Sequence, residues 1–465
     1  MPDVHYDLVV VGGGPGGYTA AIRGAQLGMR VGIIEREKLG GVCLNWGCVP
    51  TKALMKNAEI LHAFRKADEW GITYDNLQFD FGKIIKRSRG VADRISKGVE
   101  YLMKKNTIDT LYGYGRLTAA GTVEVRSEGK QATTVTAQHI IIATGARPRS
   151  LPGVVIDRAR VLSSTEAMSL SHQPNSMVII GAGAIGIEFA YFYNALRTKV
   201  TVVEMLPGIL PVEDKELTRL LETSLKKQGI EILTNARVDN VRSGSKDVTV
   251  SIATPEGKRD LRADVALMAI GVQGNVENFG LEELGVAVDH GHIVVDANYR
   301  TSVPGVYAIG DVIGPPWLAH VASAEGITCV EAIAGKNPAP IDYSSIPGCT
   351  YCQPQIASVG LTEEKALAEG HELKIGRCQF RPLGKAMAIG ESEGMVKLIF
   401  DAKYGELLGA HILGSEATEM IAELVVAKKL ETTGEKLFRI THAHPTLSEA
   451  VMEAAAAAYG EAINL

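Results

Sequence analysis

Cysteine is scarce. Six in 465 residues are too few for a secreted disulfide framework. An intracellular setting is the default expectation, and a disulfide there is more often catalytic than structural. Long apolar runs are also missing. None reaches ~18 residues, so no membrane-spanning helix is expected. Basic charge is not in excess: 48 Lys and Arg against 53 Asp and Glu leave a net charge of −5. That balance argues against nucleic acid as the main partner, because phosphate binding needs a basic surface. A strand pattern begins at Tyr6, so we expect no signal or transit peptide. The remaining composition, 46% apolar and 22% charged, excludes a disordered chain. Length argues for two to four domains. Glycine is plentiful at 50 residues, above the ~7% usual, which points to tight turns and close backbone approach to ligands.

The glycines fall in a repeated pattern. Residues 6–11 form an apolar run like a buried parallel strand, followed by Gly12-Gly13-Gly14-Pro15-Gly16-Gly17. A helix with one small-residue face is predicted over 18–28, and a second strand over 30–35, ending at Glu35. The same order returns at 177–180, Gly181-Ala182-Gly183-Ala184-Ile185-Gly186, a helix over 187–197 and a strand over 199–204. Gly12 to Glu35 and Gly181 to Glu204 each span 23 positions. One G-x-G-x-x-G is weak. Two, each between strand and helix and each followed by an acid, indicate two dinucleotide-binding units. The glycines admit a pyrophosphate at a helix N-terminus, and the acid can accept from a ribose 2′-hydroxyl. Two units imply two dinucleotides, with a flavin held in the first and nicotinamide visiting the second. Related tails follow at 140–145 and 266–271, and a third strand-like run, 305–311, closes on Asp311. Residues 146–153, with Pro148 and Pro152, read as a linker. From about 346, strand-like segments precede helices over 416–430 and 447–459, an α+β pattern.

Between Gly40 and Lys52 lie Cys43 and Cys48, with glycines before and between them. They can close a small disulfide ring. Pro50 suits the first turn of a helix running through Lys52, which puts Cys48 near a helix N-terminus, where a thiolate is stabilised. Read alone, the segment leaves a redox pair, two buried thiols or metal ligation open. No second Cys or His pair stands nearby at metal spacing.

Gly40 to Leu54 closely resembles the redox-active segment of the pyridine nucleotide–disulfide oxidoreductases. Both fingerprints, Ala143-Thr144-Gly145, Ala308-Ile309-Gly310-Asp311 and His442-Ala443-His444-Pro445-Thr446-Leu447-Ser448-Glu449 extend the resemblance over nearly the whole chain. It implies an α/β fold: an FAD-binding domain over 1–148, an NAD-binding domain over 149–270, a central domain completing the FAD site over 271–345, and an α+β dimerisation domain over 346–465. The two dinucleotide domains would be Rossmann-like.

The same resemblance implies roles. Cys43 would meet a dithiol substrate, and Cys48 would contact the flavin with Lys52 beside it. Gly12, Gly14 and Gly17 would approach the FAD pyrophosphate and Glu35 its ribose, with Gly115, Thr144, Gly145, Asp311 and Ala319 as further FAD positions. Gly181, Gly183, Gly186, Glu188, Glu204, Val238 and Gly271 match NAD positions, Glu188 being the partner of Lys52. His444 would be the base and Glu449 the carboxylate that orients it. Thr446-x-x-Glu449 also reads as a capping box, and both readings can hold. His442 reads as structural. A homodimer is implied, with His444 serving the other subunit.

The implied activity is oxidation of dihydrolipoamide on lipoyl domains with NAD as acceptor, docked on the acyltransferase core of a 2-oxo acid dehydrogenase complex or serving glycine cleavage, in the cytoplasm. A glutathione-reductase-like activity would need arginines after the second strand, where Glu204-Met205-Leu206-Pro207 stands instead. A mainly assembly or docking role is the other alternative. Val42 stands where a hydroxyl residue is common, and Gly271-Val272-Gln273-Gly274-Asn275 replaces Gly-Arg-x-Pro-Asn. Cys349-x-x-Cys352 looks like a thioredoxin motif but falls on an expected interface strand. Cys329 and Cys378 read as buried thiols.

Overall fold

The computed structural model describes residues 5–464. Two parallel sheets and one antiparallel sheet organise it. In the first, strands Asp109–Tyr112, Val31–Glu35, His5–Val11, Thr133–Ile142 and Val306–Ala308 run parallel, and Thr122–Arg126 and Tyr114–Ala119 extend it antiparallel. The apolar runs are unbroken because both faces are buried. Leu8, Val10, Ile33 and Ile141 enter one core, while Val9, Val11, Ile140 and Ile142 enter another. The second sheet repeats the plan with Glu231–Leu233, Lys199–Val203, Ser176–Ile180, Val265–Met268 and Val161–Leu162, all parallel.

The glycine-led helices start earlier than predicted, at Pro15 and Ala184. Gly14 and Gly183 are their N-caps, and Pro15 at the first helical position is already set to helical φ. Both end earlier too, at Gln26 and Ala195; Gly28 takes φ +85° just beyond the first. The small face of helix Pro15–Gln26 packs on helix Ala319–Ile333. A Cβ on Gly326 would stand 2.7 Å from the Gly16 carbonyl oxygen, so the backbones touch closely. Arg23 and Glu331 pair across the same contact.

The second sheet is an insertion. The chain leaves the first sheet after Ile142 and returns to it only at Val306. The segment read as a linker is ordered: Ala146–Pro148 pairs antiparallel with Val272–Gly274, so the outgoing and returning crossings form one ribbon. Arg147 ties that ribbon down, donating to the Gly274 carbonyl (3.0 Å), Asn275 Oδ1 (3.2 Å) and Glu277. A cation is thus supplied here from the outgoing crossing.

The C-terminal sheet runs Gly348–Thr350, Gln355–Gly360, Leu407–Gly414, Met395–Asp401, Leu373–Gln379, all antiparallel. Helices Ala417–Lys429 and Glu449–Ala457 bury one face of it. The other face carries Lys397, whose side chain is 2% exposed and whose Nζ donates to Asp214 (3.0 Å) and lies 3.0 Å from Glu216 and 2.6 Å from Glu363. Arg377 adds a bidentate contact to Glu216. Asp214 caps helix Lys215–Lys227 of the second unit, so this ionic knot joins the second and third layers of the chain. No helix among the described residues is long and apolar enough to cross a membrane.

Candidate active site

The two glycine turns share one backbone path. Gly12 and Gly181 have φ +111° and +103°, and a Cβ on either would overlap the carbonyl oxygen of Ala143 or Ala269. Gly17 and Gly186 are equally fixed, since a Cβ there would overlap the oxygen of Gly12 or Gly181. These four are glycines for the protein's own packing. Gly14 and Gly183 differ. Their φ values are ordinary (−72° and −73°), and a Cβ would meet nothing closer than 3.9 Å at Gly14 and nothing within 4 Å at Gly183. The space they leave lies at helix N-termini with no side-chain cap and no acid in the first turn. That space fits a phosphate group, and both turns therefore suit a dinucleotide.

The two acids are held identically. Glu35 accepts from Gly13 N (2.7 Å) and Glu37 N (2.8 Å), and Glu204 from Ala182 N (2.7 Å) and Leu206 N (2.9 Å). Each carboxylate is locked to its own glycine turn. Burial pushes the Glu35 carboxyl above its ordinary range despite the two N–H donors. Thr144, Gly145 and Asp311 follow the ends of first-sheet strands. Thr144 donates to Asn275 O (2.9 Å) and accepts from Asn275 Nδ2, and Gly145 O accepts from Asn275 N. Burial alone raises Asp311 to about 6. Ala319 opens its helix without a side-chain cap. Gly115 leaves room for Val11 and Ile34, whose methyls a Cβ would meet at 3.1 and 3.2 Å. On the second unit, Gly271 (φ +101°) follows strand Val265–Met268, and Val238 lies in strand Arg237–Ser243 of a small antiparallel sheet.

The cysteines rest against the first turn. Gly40 N donates to Gly13 O (2.7 Å), and a Cβ on Gly41 (φ +55°) would stand 2.7 Å from Gly14 Cα. The sequence reading missed Gly41; its signal was the double glycine before the pair. Helix Gly41–Trp46 carries Cys43, and helix Cys48–Arg65 begins at Cys48. Gly47 lets them close up, since a Cβ there would lie 3.0 Å from Val42 O. Val42 itself is exposed. Cys43 and Cys48 stand as free thiols, not joined in the ring that the sequence allows. The neighbouring Cys43 thiol, Lys52 and the helix-start N–H lower the Cys48 thiol, while Cys48 and burial raise Cys43 far above the thiol range.

Lys52 lies one helical turn beyond Cys48. Its Nζ donates to both oxygens of Glu188 (2.9 and 3.0 Å), which is buried on helix Ala184–Ala195 of the second unit. Tyr351 completes the group: its N–H donates to Glu188 Oε1 (3.1 Å), and its ring centroid lies 4.2 Å from Lys52 Nζ. The sequence reading missed Tyr351, whose flanking cysteines drew the chemistry instead. Those cysteines do not form a pair. Cys352 is buried in the core beneath the second unit, donating to Pro354 O, while Cys349 packs against the C-terminal core. Cys329 and Cys378 are fully buried.

His444 is 77% exposed, and its Nδ1 pairs with Glu449 Oε1 (2.8 Å). The other carboxylate oxygen accepts from Thr446 N (2.9 Å). Only that half of the capping box forms, because the Thr446 hydroxyl donates back to Ala443 O. Burial disfavours the Glu449 anion, but the Thr446 N–H and the His444 ring outweigh it and hold the carboxyl below its usual range. Within one chain, among the described residues, neither cysteine is a hydrogen-bond partner of His444. His442 has both ring nitrogens occupied, by Glu423 (2.7 Å) and Ile440 O (3.0 Å), as a structural histidine should.

This architecture has many counterparts. The chain is 48% identical to the dihydrolipoyl dehydrogenases of Rhizobium etli and Zymomonas mobilis, over 99% of both chains in each case. It is 44% identical to that of Bacillus subtilis over the same share. Among solved structures, LpdA from Mycobacterium tuberculosis superposes with a TM-score of 0.90 at 27% identity, covering 96% of this chain and 98% of that one. The HOCl-induced flavoprotein disulfide reductase RclA from Escherichia coli, solved as a Cu(II) complex, gives 0.88 at 26% identity, covering 98% and 99%. Residues 346–455 match the dimerisation domain of the pyridine nucleotide-disulphide oxidoreductases. Residues 6–326 match the pyridine nucleotide-disulphide oxidoreductase model itself, and with both the fold and the paired turns in agreement the chain belongs to that family.

Proposed function

We propose that this chain is an FAD-dependent, NAD-linked enzyme that oxidises dihydrolipoamide to lipoamide. The observation that carries the reading is the placement of Cys48 at a helix start, five residues after Cys43 and one turn before Lys52, whose ammonium is held by Glu188 from the second dinucleotide unit. Full-length relatives named dihydrolipoyl dehydrogenase support the substrate.

FAD, when bound, supplies the relay that passes an electron pair from the dithiol to NAD. The first turn, Glu35, Thr144, Gly145, Asp311 and the start of helix Ala319–Ile333 would hold it, with Gly115 beside them. Gly181, Gly183, Gly186, Glu188, Glu204, Val238 and Gly271 would hold NAD. His444 Nε2 takes the proton of a substrate thiol, with Glu449 fixing the ring through Nδ1. The substrate thiolate attacks Cys43 Sγ of the oxidised pair. The Cys43–Cys48 bond breaks, and Cys48 leaves as a thiolate that Lys52 and the helix start stabilise. The second substrate thiol, its proton passing to Cys43, then displaces Cys43 Sγ, releasing the cyclic disulfide and leaving a Cys43 thiol beside the Cys48 thiolate. His444 holds the proton that balances the step.

The dimerisation domain supports a homodimer, and we place His444 in the partner's site. Attachment to the acyltransferase core of a 2-oxo acid dehydrogenase complex, and a cytoplasmic location, complete the reading. Steady-state kinetics with dihydrolipoamide and NAD, run beside glutathione disulfide and NADPH, test it. Turnover confined to the first pair is expected; equal or greater turnover of the second would overturn it.

A further inference from the structure

We infer that Tyr351 is a positioning residue for the Lys52 ammonium, holding it from the C-terminal domain so that its charge stays on Cys48. The inference rests on the reading of Cys43 and Cys48 as the redox couple and extends it to a third part of the chain.

Three elements distant in sequence meet at one point. Helix Cys48–Arg65 brings Lys52, helix Ala184–Ala195 brings Glu188, and the residue after strand Gly348–Thr350 brings Tyr351. Glu188 Oε1 is shared, accepting from Lys52 Nζ at 2.9 Å and from Tyr351 N at 3.1 Å. The aromatic face lies 4.2 Å from Nζ, within the range where a ring attracts a cation. A lysine side chain has four rotatable bonds, and this one is a third exposed. Two oxygens of a single carboxylate leave its ammonium free to pivot toward solvent. A ring on another side removes that freedom.

The groups around Cys48 are Cys43, Lys52 and Glu188, and of these the Glu188 charge opposes the thiolate while Lys52 favours it. Cys48 therefore gains only while Lys52 stays near. Around Tyr351 itself stand Cys349, Glu188 and Glu419, and burial leads these groups in pushing the phenol up to about 12, so the ring remains neutral across the working range. Because Tyr351 directly follows strand Gly348–Thr350, which pairs into the sheet that carries Lys397, the ring is tethered to that layer.

The experiment titrates the two-electron-reduced holoenzyme and follows the long-wavelength thiolate–flavin band. Tyr351→Leu should raise its pH midpoint by ~0.5–1 unit, while Tyr351→Phe, which keeps the ring, should leave it at the wild-type value. In a Lys52→Met background, Tyr351→Leu should add nothing, because the ring acts through the lysine. If the Leu variant does not hold FAD, Tyr351→Met runs in the same series. An unchanged midpoint in the ring-free variants overturns the inference, as does an equal shift in Tyr351→Phe or an additive shift in the Lys52→Met background. A wild type without the band removes the redox reading and this inference together, so the two failures are distinguishable.

Discussion

At the residue scale, most of the groups proposed for the chemistry lie close together in sequence and are therefore readable. Cys43, Cys48 and Lys52 sit within ten positions: helix geometry relates Lys52 to Cys48, and the Gly47 turn brings Cys43 alongside. Glu204 is similarly direct. Its carboxylate is pinned by Ala182 N and Leu206 N beside the second turn, and a 2′-phosphate there would meet a fixed negative charge. NAD should be preferred over NADP by at least ~100-fold, on the order of 3 kcal/mol. Glu204→Arg should narrow that gap, as kcat/KM with each nucleotide will show. His444→Gln should lower dihydrolipoamide turnover by ~10²–10⁴-fold. Stopped-flow reduction of the flavin by NADH should be almost untouched, since that half-reaction needs no proton from a substrate thiol. Tyr351 was illegible for the opposite reason. Its partner is 299 positions away, and only the packing of three domains brings the ring to Lys52. The two cysteines beside it are the stronger written signal, yet they point into different cores.

At the element scale, the strand–turn–helix repeats were plain because positive φ and backbone contact leave glycine no substitute at Gly12 and Gly181. The helix starts were misplaced by three residues because the first-turn residues Pro15–Gly17 and Ala184–Gly186 were counted with the glycine loops. The knot around Lys397 left no trace in the pattern: a lysine in the apolar run 395–400 is an anomaly until Asp214, Glu216 and Glu363 are seen to converge on it. Breaking such a buried pair leaves an uncompensated charge. Lys397→Met should therefore destabilise the protein by about 3–5 kcal/mol at pH 7.5, measured by urea unfolding. The pH dependence has a definite sign. Burial works against the Asp214 anion, but Lys397 and the other donors hold its carboxyl below the usual range. In the wild type this stabilisation is present above the unfolded carboxylate value and is lost as pH falls through the folded one. In the variant, burial without Lys397 favours the protonated acid, so acidification relieves the strain on Asp214. The deficit between variant and wild type should shrink below about pH 4. A constant deficit would show that packing, not charge, is the source.

At the scale of the whole molecule, a base on the C-terminal segment and a thiol pair near the N-terminus must meet across two chains for the proposed chemistry. Co-expressing His444→Gln with Cys43→Ser chains tests this. Each mixed dimer then has one site with both lesions and one with neither, and purified mixed dimers should recover about half of wild-type activity. Activity near zero would place His444 in its own chain's site. The two Rossmann-like units and the α+β end of the chain were legible along the sequence, but not the ribbon formed by Ala146–Pro148 and Val272–Gly274, which depends on two crossings lying side by side. That ribbon has a consequence for synthesis. The ribosome delivers the second sheet complete, from Val161 to Met268, while the first still lacks strand Val306–Ala308 and the helix Ala319–Ile333 that backs its glycine turn. The inserted unit can thus fold while its host is still waiting for a strand. Flavin capture must come late in translation: chains arrested near residue 300 should protect the 161–268 region from protease yet retain no FAD. Chains extended far enough for residue 333 to clear the exit tunnel should begin to hold it.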